Sequence, residues 1–103
     1  MISDKQGSLL EKAEGFDWDE ANINKNWRKH KVNFKEAEQT FFNKPLLINF
    51  DQKHSAKEKR FQALGKTSQQ RKLFISFIVR KNKIRVISAR DMSRKEKRQY
   101  EKA

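Results

Sequence analysis

The sequence has no cysteine, one proline and three glycines in 103 residues. The absence of cysteine excludes disulfides, thiolate nucleophiles and cysteine-ligated zinc. Gly7, Gly15 and Gly65 are too scattered to form a phosphate-binding P-loop. The longest apolar run, at 73–79, is far shorter than the ~20 residues that a membrane helix needs, and the N-terminus lacks a signal-like apolar block. We therefore expect a cytoplasmic protein that does not associate with a membrane.

Acidic residues are scarce in the second half of the chain, which concentrates the positive charge there. The formal net charge is +12, and residues 1–52 carry 8 Lys/Arg against 9 Asp/Glu, whereas residues 53–103 carry 17 against 4. Positive charge concentrated in one half of a domain creates an electrostatic field that attracts a polyanion. Nucleic acid is the first candidate partner and an acidic protein surface the second. A ribosomal or chromatin protein would fit the same distribution of charge.

Carboxylates are also too few in this basic half to hold a catalytic metal. Between residues 53 and 90 the only acid is Glu58, whereas Mg²⁺ that assists phosphate chemistry needs converging carboxylates. We therefore expect neither a metal nor another cofactor. RNA can be cleaved without one, because its 2′-hydroxyl can attack the adjacent phosphate and leave a 2′,3′-cyclic product. DNA lacks that hydroxyl, so RNA is the expected substrate.

The chain is predicted to consist of an N-terminal extension and one domain. Residues 1–15 are mostly polar and are predicted to be poorly ordered or a short helix, while residues 16–103 form the domain. The domain begins with a short strand at 16–18. Asp17 or Asp19 is expected to cap the first helix, with Glu20 three residues after Asp17 as in a capping box. The predicted inward-facing stripe of that helix is Ile23, Trp27 and His30.

Two more capping boxes and a set of alternating segments complete the expected fold. Asn33 with Glu36 starts a second helix, and Ser93 with Glu96 starts a terminal one. Between them the strands are predicted at 46–51, 60–65, 73–79 and 84–90. The segment 73–79 is apolar on both faces and should lie mid-sheet. The expected fold class is α+β: a short N-terminal strand, two helices, a four-stranded antiparallel meander and a C-terminal helix.

Three arginines on the predicted strands are candidates to bind the scissile phosphate. Arg60, Arg85 and Arg90 would neutralise the extra charge of a phosphorane, if the sheet holds them rigidly. The alternative interpretation is that they are solvated strand ends, which are normal in a basic protein. Further cations are predicted to contact the RNA backbone or, alternatively, to be solvent-exposed. These are Arg80, Lys83, Arg94, Lys97 and Arg98.

The proton acceptor and donor are sought among His54, Glu58 and Tyr100. Positioned acid–base groups contribute about 10²–10⁴ in rate, and each of these three side chains can exchange a proton. Each also has a simpler interpretation. His54 would be a plain surface histidine, Glu58 would pair with a neighbouring lysine, and Tyr100 would anchor the last helix.

With these residues in view, the sequence resembles the BrnT family of toxins from bacterial type II toxin–antitoxin modules. The resemblance covers residues 16 to about 101. Its pieces are Phe16-Asp17-Trp18-Asp19-Glu20, Arg28-Lys29-His30-Lys31-Val32 within 26–34, Glu58-Lys59-Arg60-Phe61 with Gly65, and Arg85-Val86-Ile87-Ser88-Ala89-Arg90 followed by Arg94, Glu96 and Tyr100-Glu101. Together, their order and spacing are fairly specific.

The resemblance implies a RelE-like ribonuclease that inhibits translation and growth. It also implies a BrnA-like antitoxin, which neutralises the toxin and alone supplies binding to operator DNA. Two features depart from the family: Lys31 stands where the family usually has glycine, and the extension before Phe16 is unusual. The alternatives are a non-catalytic RNA- or DNA-binding module, a degenerate toxin that only binds its antitoxin, and a purely protein-interaction role.

Overall fold

The structure is a computed structural model that describes residues 13–103. Its helices and strands follow one another as α1 (Glu20–His30), α2 (Phe34–Thr40), β1 (Leu47–Asp51), β2 (Arg60–Lys66), β3 (Lys72–Arg80), β4 (Lys83–Asp91) and α3 (Arg94–Glu101), with a 3-10 turn, Gln52–His54, after β1. The predicted α+β class is confirmed. None of the helices in this part of the chain is long and apolar enough to cross a membrane.

The four strands form one antiparallel sheet in the order β1-β2-β3-β4, which confirms the predicted meander. Lys81 and Asn82 connect β3 to β4 with φ angles of 53° and 64°, as in a two-residue type I′ turn. Farther along, β4 carries one extra residue, Ile87, opposite the step from Ser76 to Phe77. Such a β-bulge bends its strand and increases the local twist.

Local capping signals start each of these helices. For α1 the cap is Asp19 rather than Asp17, because the Asp19 carboxylate accepts a hydrogen bond from the Asn22 backbone N–H at 2.7 Å. Two of the three predicted capping boxes are confirmed, Asn33 with Glu36 for α2 and Ser93 with Glu96 for α3. The box of Asp17 with Glu20 is wrong, because Asp19 is the cap of α1.

One face of the sheet packs against α1 and α2 and contains most of the core. We call it the helix-covered face. Because side chains alternate along each strand, it collects Ile48, Phe61, Ala63, Leu73, Ile75, Phe77, Val86 and Ala89, all of them buried. Gly65 lies on this face beneath α2, and a Cβ there would come within 3.1 Å of the Thr40 Cβ. The missing side chain therefore lets α2 approach β2 closely.

Helix α1 seals the outer edge of β4 with polar side chains. Asn22 donates to the Val86 carbonyl, Lys25 donates to the Ile87 carbonyl at 2.9 Å, and Asn26 accepts from the Ala89 N–H at 3.3 Å. Asn26 is the buried residue of the helix, whereas Trp27 is 49% exposed. The predicted stripe is therefore wrong at Trp27, because an open strand edge requires hydrogen-bonding partners rather than an apolar stripe.

The predicted N-terminal strand is not confirmed. Phe16 forms only a single parallel bridge with Ile84, and Asp19 caps α1 shortly afterwards. Within the bridge, the Gly15 carbonyl accepts a hydrogen bond from the Ile84 N–H at 2.9 Å. Most of the predicted N-terminal extension, residues 1–12, lies outside the described residues.

Helix α1 ends at Lys31 in the left-handed conformation, with φ 53° and ψ 37°. The Lys31 N–H bonds to the Trp27 carbonyl at 2.9 Å, and the Val32 N–H bonds to the Asn26 carbonyl at 3.3 Å. The first of these bonds is that of an αL motif, a helix end that glycine usually completes. The chain keeps the turn with a lysine instead, at a backbone cost of about 1–2 kcal/mol.

Candidate active site

The opposite face of the sheet carries the predicted arginines, and we call it the arginine face. Arg60 on β2 and Arg85 on β4 are both register partners of Ile78 on β3. Asp51 on β1 is the partner of Arg60. A single row, Asp51, Arg60, Ile78 and Arg85, therefore crosses all four strands on one face, and the two arginine Cα atoms lie about 10 Å apart.

Arg60 is the arginine of this row that keeps its charge available. Its backbone is fixed, because the Ser55 hydroxyl accepts a hydrogen bond from the Arg60 N–H at 2.9 Å. Its side-chain Nε is buried and has no hydrogen-bond partner in the described part of the chain. Ile78 beside it is only 4% exposed, which is consistent with the arginine stem covering it. Such a guanidinium is suited to an anionic ligand.

Arg85 is held at the sheet edge by two carboxylates. Its guanidinium pairs with Asp17 at 3.3 Å and also with Asp19. The backbone hydrogen bond from Asn22 and the pair with Arg85 lower the pKa of Asp19 below its ordinary value. The positive charge of Arg85 is therefore largely balanced, and an RNA phosphate would have to compete with these two aspartates.

Arg90 lies on the same face but at its other end. It is the register partner of Phe74 and its guanidinium lies 4.2 Å from the centre of that ring. It also forms a two-pronged pair with Glu96, at 2.8 and 3.0 Å. Burial alone would raise the pKa of Glu96, but the bonds from Arg90 and Ser93 bring it below the ordinary value. Arg90 is roughly 13 Å along β4 from Arg85, so it lies apart from the row that contains Arg60 and Arg85.

His54 is oriented by a buried carboxylate. Its Nδ1 lies 2.9 Å from Asp51, whose side chain is only 8% exposed, whereas the imidazole itself is 55% exposed. Gln62 also donates to Asp51, at 3.2 Å. Because Asp51 and Arg60 are neighbours in the row, the imidazole is held at the β1 end of the site. An aspartate that orients a histidine is a recurrent arrangement in acid–base catalysis.

Glu58 and Tyr100 are bonded elsewhere. Glu58 pairs with Arg80 at 2.6 Å, and the hydrogen bonds from Arg80 lower the pKa of Glu58 below its ordinary value. Tyr100 is buried, donates to the Pro45 carbonyl at 2.6 Å, and has its pKa raised by burial. It packs with Met92, Leu47, Leu64 and Phe74 and fastens α3 onto the arginine face. The simpler interpretation of Tyr100, that it anchors the last helix, accounts for this position. A catalytic role for Tyr100 stays a prediction that these contacts do not support.

The remaining predicted RNA contacts are exposed cations around the site. Lys83 lies at the start of β4, and the others lie on α3: Arg94, Lys97 and Arg98. Among residues 13–103 no three His, Asp or Glu side chains come together as they would around a metal ion. The structure thus places Arg60 and Arg85 in one row and holds His54 at its β1 end through Asp51. Arg90 and α3 lie along the same face, whereas Tyr100 and the pair of Glu58 with Arg80 lie outside the row.

Sequence reasoning missed the carboxylates that hold these groups. Asp17 and Asp19 reach Arg85 across more than sixty positions of the chain, a contact that no local pattern reveals. Asp51 is three positions before His54, at the end of an alternating strand. An aspartate three positions before a histidine is the sequence signal that could have revealed this contact, since Asp commonly caps the turn that follows it.

Two comparisons relate the chain to known proteins. The sequence model of the family described as "Ribonuclease toxin, BrnT, of type II toxin-antitoxin system" matches residues 18–96. The crystal structure of the Brucella abortus ribonuclease toxin BrnT is similar in fold, with a TM-score of 0.56 and 22% identity, over 78% of this chain and 97% of that one. The comparison with curated proteins found no match.

The family match spans most of the described chain, from Trp18 to Glu96. It includes α1, the whole sheet and the row that contains Arg60 and Arg85. A type II toxin–antitoxin family implies an antitoxin protein as partner. The chain belongs to the BrnT family of ribonuclease toxins of type II toxin–antitoxin systems.

Proposed function

We propose that this chain is a cytoplasmic endoribonuclease that cleaves RNA without a metal at the arginine face and so inhibits translation and growth. The observation that carries the proposal is the row across the sheet: a carboxylate-held imidazole at one end, the unpaired Arg60 beside it and Arg85 at the other end. The proposed partner is a BrnA-like antitoxin, which also supplies the contact with operator DNA.

In the proposed reaction the 2′-oxygen forms a bond to phosphorus while the bond from phosphorus to the 5′-oxygen breaks. His54 accepts the 2′-hydroxyl proton at Nε2, and water protonates the departing 5′-oxygen. Arg60 neutralises the charge that the phosphorane gains, assisted by Arg85. A preorganised donor of this kind contributes about 10²–10³ in rate.

The other cations extend the site along the RNA. Arg90, Arg80, Lys83 and the exposed face of α3 would hold the phosphates on either side of the cleaved one. Each phosphate contact with a single strand adds about −0.7 to the slope of log affinity against log salt. Glu58, ionised in its pair with Arg80 outside the row, is the second candidate base.

The test is cleavage of an end-labelled RNA in excess EDTA, with DNA of the same sequence as control. RNA is supplied both free and in a translating extract, so that a requirement for ribosomes does not mask activity. We expect the RNA to be shortened and the DNA to stay intact. A requirement for added Mg²⁺ would contradict the metal-free reaction, and an RNA that shifts on a gel without shortening would favour the non-catalytic binding module.

A further inference from the structure

Asp51 is a buried carboxylate whose partners all belong to the site. It accepts hydrogen bonds from the His54 backbone N–H at 3.2 Å, from His54 Nδ1 at 2.9 Å and from Gln62 at 3.2 Å. Its ion-pair contact is with His54, although its neighbour in the row is Arg60. A carboxylate removed from water needs such donors, and here they are aimed at an exposed imidazole.

These bonds determine which nitrogen of His54 carries the proton. Burial by itself would raise the pKa of Asp51, but the hydrogen bonds from His54 and Gln62 lower it below its ordinary value. The carboxylate is therefore ionised at neutral pH and can only accept hydrogen bonds. Nδ1 of His54 must then be the donor, which leaves the lone pair of the neutral ring on Nε2.

We propose that Asp51, supported by Gln62, is a positioning residue that fixes the tautomer and the direction of His54, so that Nε2 is the atom presented to the RNA 2′-hydroxyl. This inference rests on the proposed ribonuclease function and assigns the base within it. Arg60, next in the row, holds the phosphate that adjoins the attacked ribose.

A purely structural role for Asp51 predicts different behaviour. Asp51 is also the N-cap of the 3-10 turn Gln52–His54, through the bond from the His54 backbone N–H. Asparagine caps such turns about as well as aspartate, so Asp51→Asn would keep the turn. Its amide would place an NH₂ group beside Nδ1, and the imidazole would have to adopt the other tautomer.

The tautomer can be read directly by ¹⁵N NMR of the imidazoles at neutral pH. The chain has only two histidines, His30 and His54, and the variant His30→Gln assigns the second one. We expect a protonated Nδ1 in the wild type and a protonated Nε2 in Asp51→Asn. An identical His54 tautomer in both proteins, or a protonated Nε2 in the wild type, would overturn the proposal.

The catalytic consequence is tested by a double-mutant cycle on RNA cleavage. We expect Asp51→Asn and His54→Ala each to lower kcat by about 10²-fold or more, with little change in KM. The double variant should be no slower than His54→Ala alone. Multiplicative losses would mean that Asp51 acts independently of His54, and they would overturn the proposal. Glu20→Gln, an exposed carboxylate on α1, is the control for loss of one negative charge.

The two readouts separate this inference from the function on which it rests. If wild-type protein cleaves RNA and His54→Ala does so equally well, the ribonuclease function stands and the assignment of His54 and Asp51 fails. If wild-type protein cleaves no RNA, the catalytic assignment fails with the function, whatever tautomer the spectrum shows.

Discussion

Replacing Arg60 by methionine should separate activity from stability more sharply than any other change on the arginine face. Arg60 has no ion pair among residues 13–103, and its buried Nε has no hydrogen-bond partner. Methionine keeps an unbranched apolar chain of similar length beside Ile78. No carboxylate is left without its partner, so the usual penalty for breaking a buried pair does not arise.

The expected effect of Arg60→Met on stability is much smaller than its expected effect on RNA cleavage. We expect the free energy of unfolding of Arg60→Met to change by less than about 0.5 kcal/mol, as for a substitution that breaks no contact. A small increase would also fit, because the unsatisfied Nε is removed. Cleavage should fall by about 10²–10³, which corresponds to about 2.7–4 kcal/mol of lost transition-state stabilisation.

Urea denaturation and RNA cleavage would be measured on the same preparations of protein. Lys59→Met is the matched control, because it removes one positive charge at an exposed neighbouring position. Arg60→Lys should recover only part of the activity, since an ammonium cannot donate two parallel bonds to a phosphate. Wild-type cleavage rates in Arg60→Met, or a loss of stability above about 2 kcal/mol, would refute the reasoning.

Three further changes have defined outcomes. Lys31→Gly removes the left-handed strain at the end of α1 and should add about 1 kcal/mol of stability, seen as a rise in Tm of roughly 4–8 °C; an unchanged Tm would contradict this. Arg71→Met removes the guanidinium that binds Asp91 at 2.8 Å, Glu36 at 3.2 Å and the backbone carbonyls of His30 and Lys31, and loss of this whole set should cost about 2–3 kcal/mol at neutral pH in urea denaturation. Because the hydrogen bond from Arg71 lowers the pKa of Asp91, the part of this stabilisation that comes from Asp91 is complete above the ordinary Asp pKa and is lost as the pH falls through the lowered one. The difference between the two proteins should therefore shrink in acid, while the bonds from Arg71 to the His30 and Lys31 carbonyls persist; a difference that does not change with pH would contradict the assignment. Asp17→Asn relieves Arg85 of one of its two carboxylates and should tighten RNA binding in a titration at fixed salt, whereas weaker binding would show that Asp17 serves to orient Arg85.

Features of the fold that depend on neighbouring residues could be predicted from the sequence. The capping boxes at Asn33 and Ser93 join groups three positions apart. Alternation indicates which face of a strand is buried, as at 46–51, and an apolar pattern on both faces places 73–79 inside the sheet. The class, the strand order and the central position of β3 follow from these signals. Asn82 likewise marks the hairpin between β3 and β4, because asparagine adopts a positive φ readily.

Features that depend on contacts between distant segments could not be predicted. Helix α1 is predicted to be an ordinary amphipathic helix with Trp27 inside, yet the side chains that it turns toward the sheet are Asn22, Lys25 and Asn26, because they bind an open strand edge. Hydrophobic periodicity cannot detect such a polar interface.

The candidate site shows the same division between local and distant contacts. Residue type and strand position identified the arginines, but the partners that set their availability come from far along the chain. Arg85 is balanced by carboxylates before α1, while Glu58 pairs with Arg80 rather than with an adjacent lysine. Charge counts describe the excess over the whole domain, and only the fold determines that Arg60 is the one in this row that keeps its charge available.

The chemistry of the cleaved ends tests the central claim most directly. RNA cut in excess EDTA would be examined by mass spectrometry, alongside a strand in which the ribose 5′ to the cut carries a 2′-O-methyl group. Attack by the 2′-hydroxyl predicts a 2′,3′-cyclic phosphate on one product, a 5′-hydroxyl on the other, and no cleavage of the methylated strand. A 5′-phosphate and 3′-hydroxyl pair, or cleavage of the methylated strand, would contradict it, since either result requires a nucleophile other than the RNA itself.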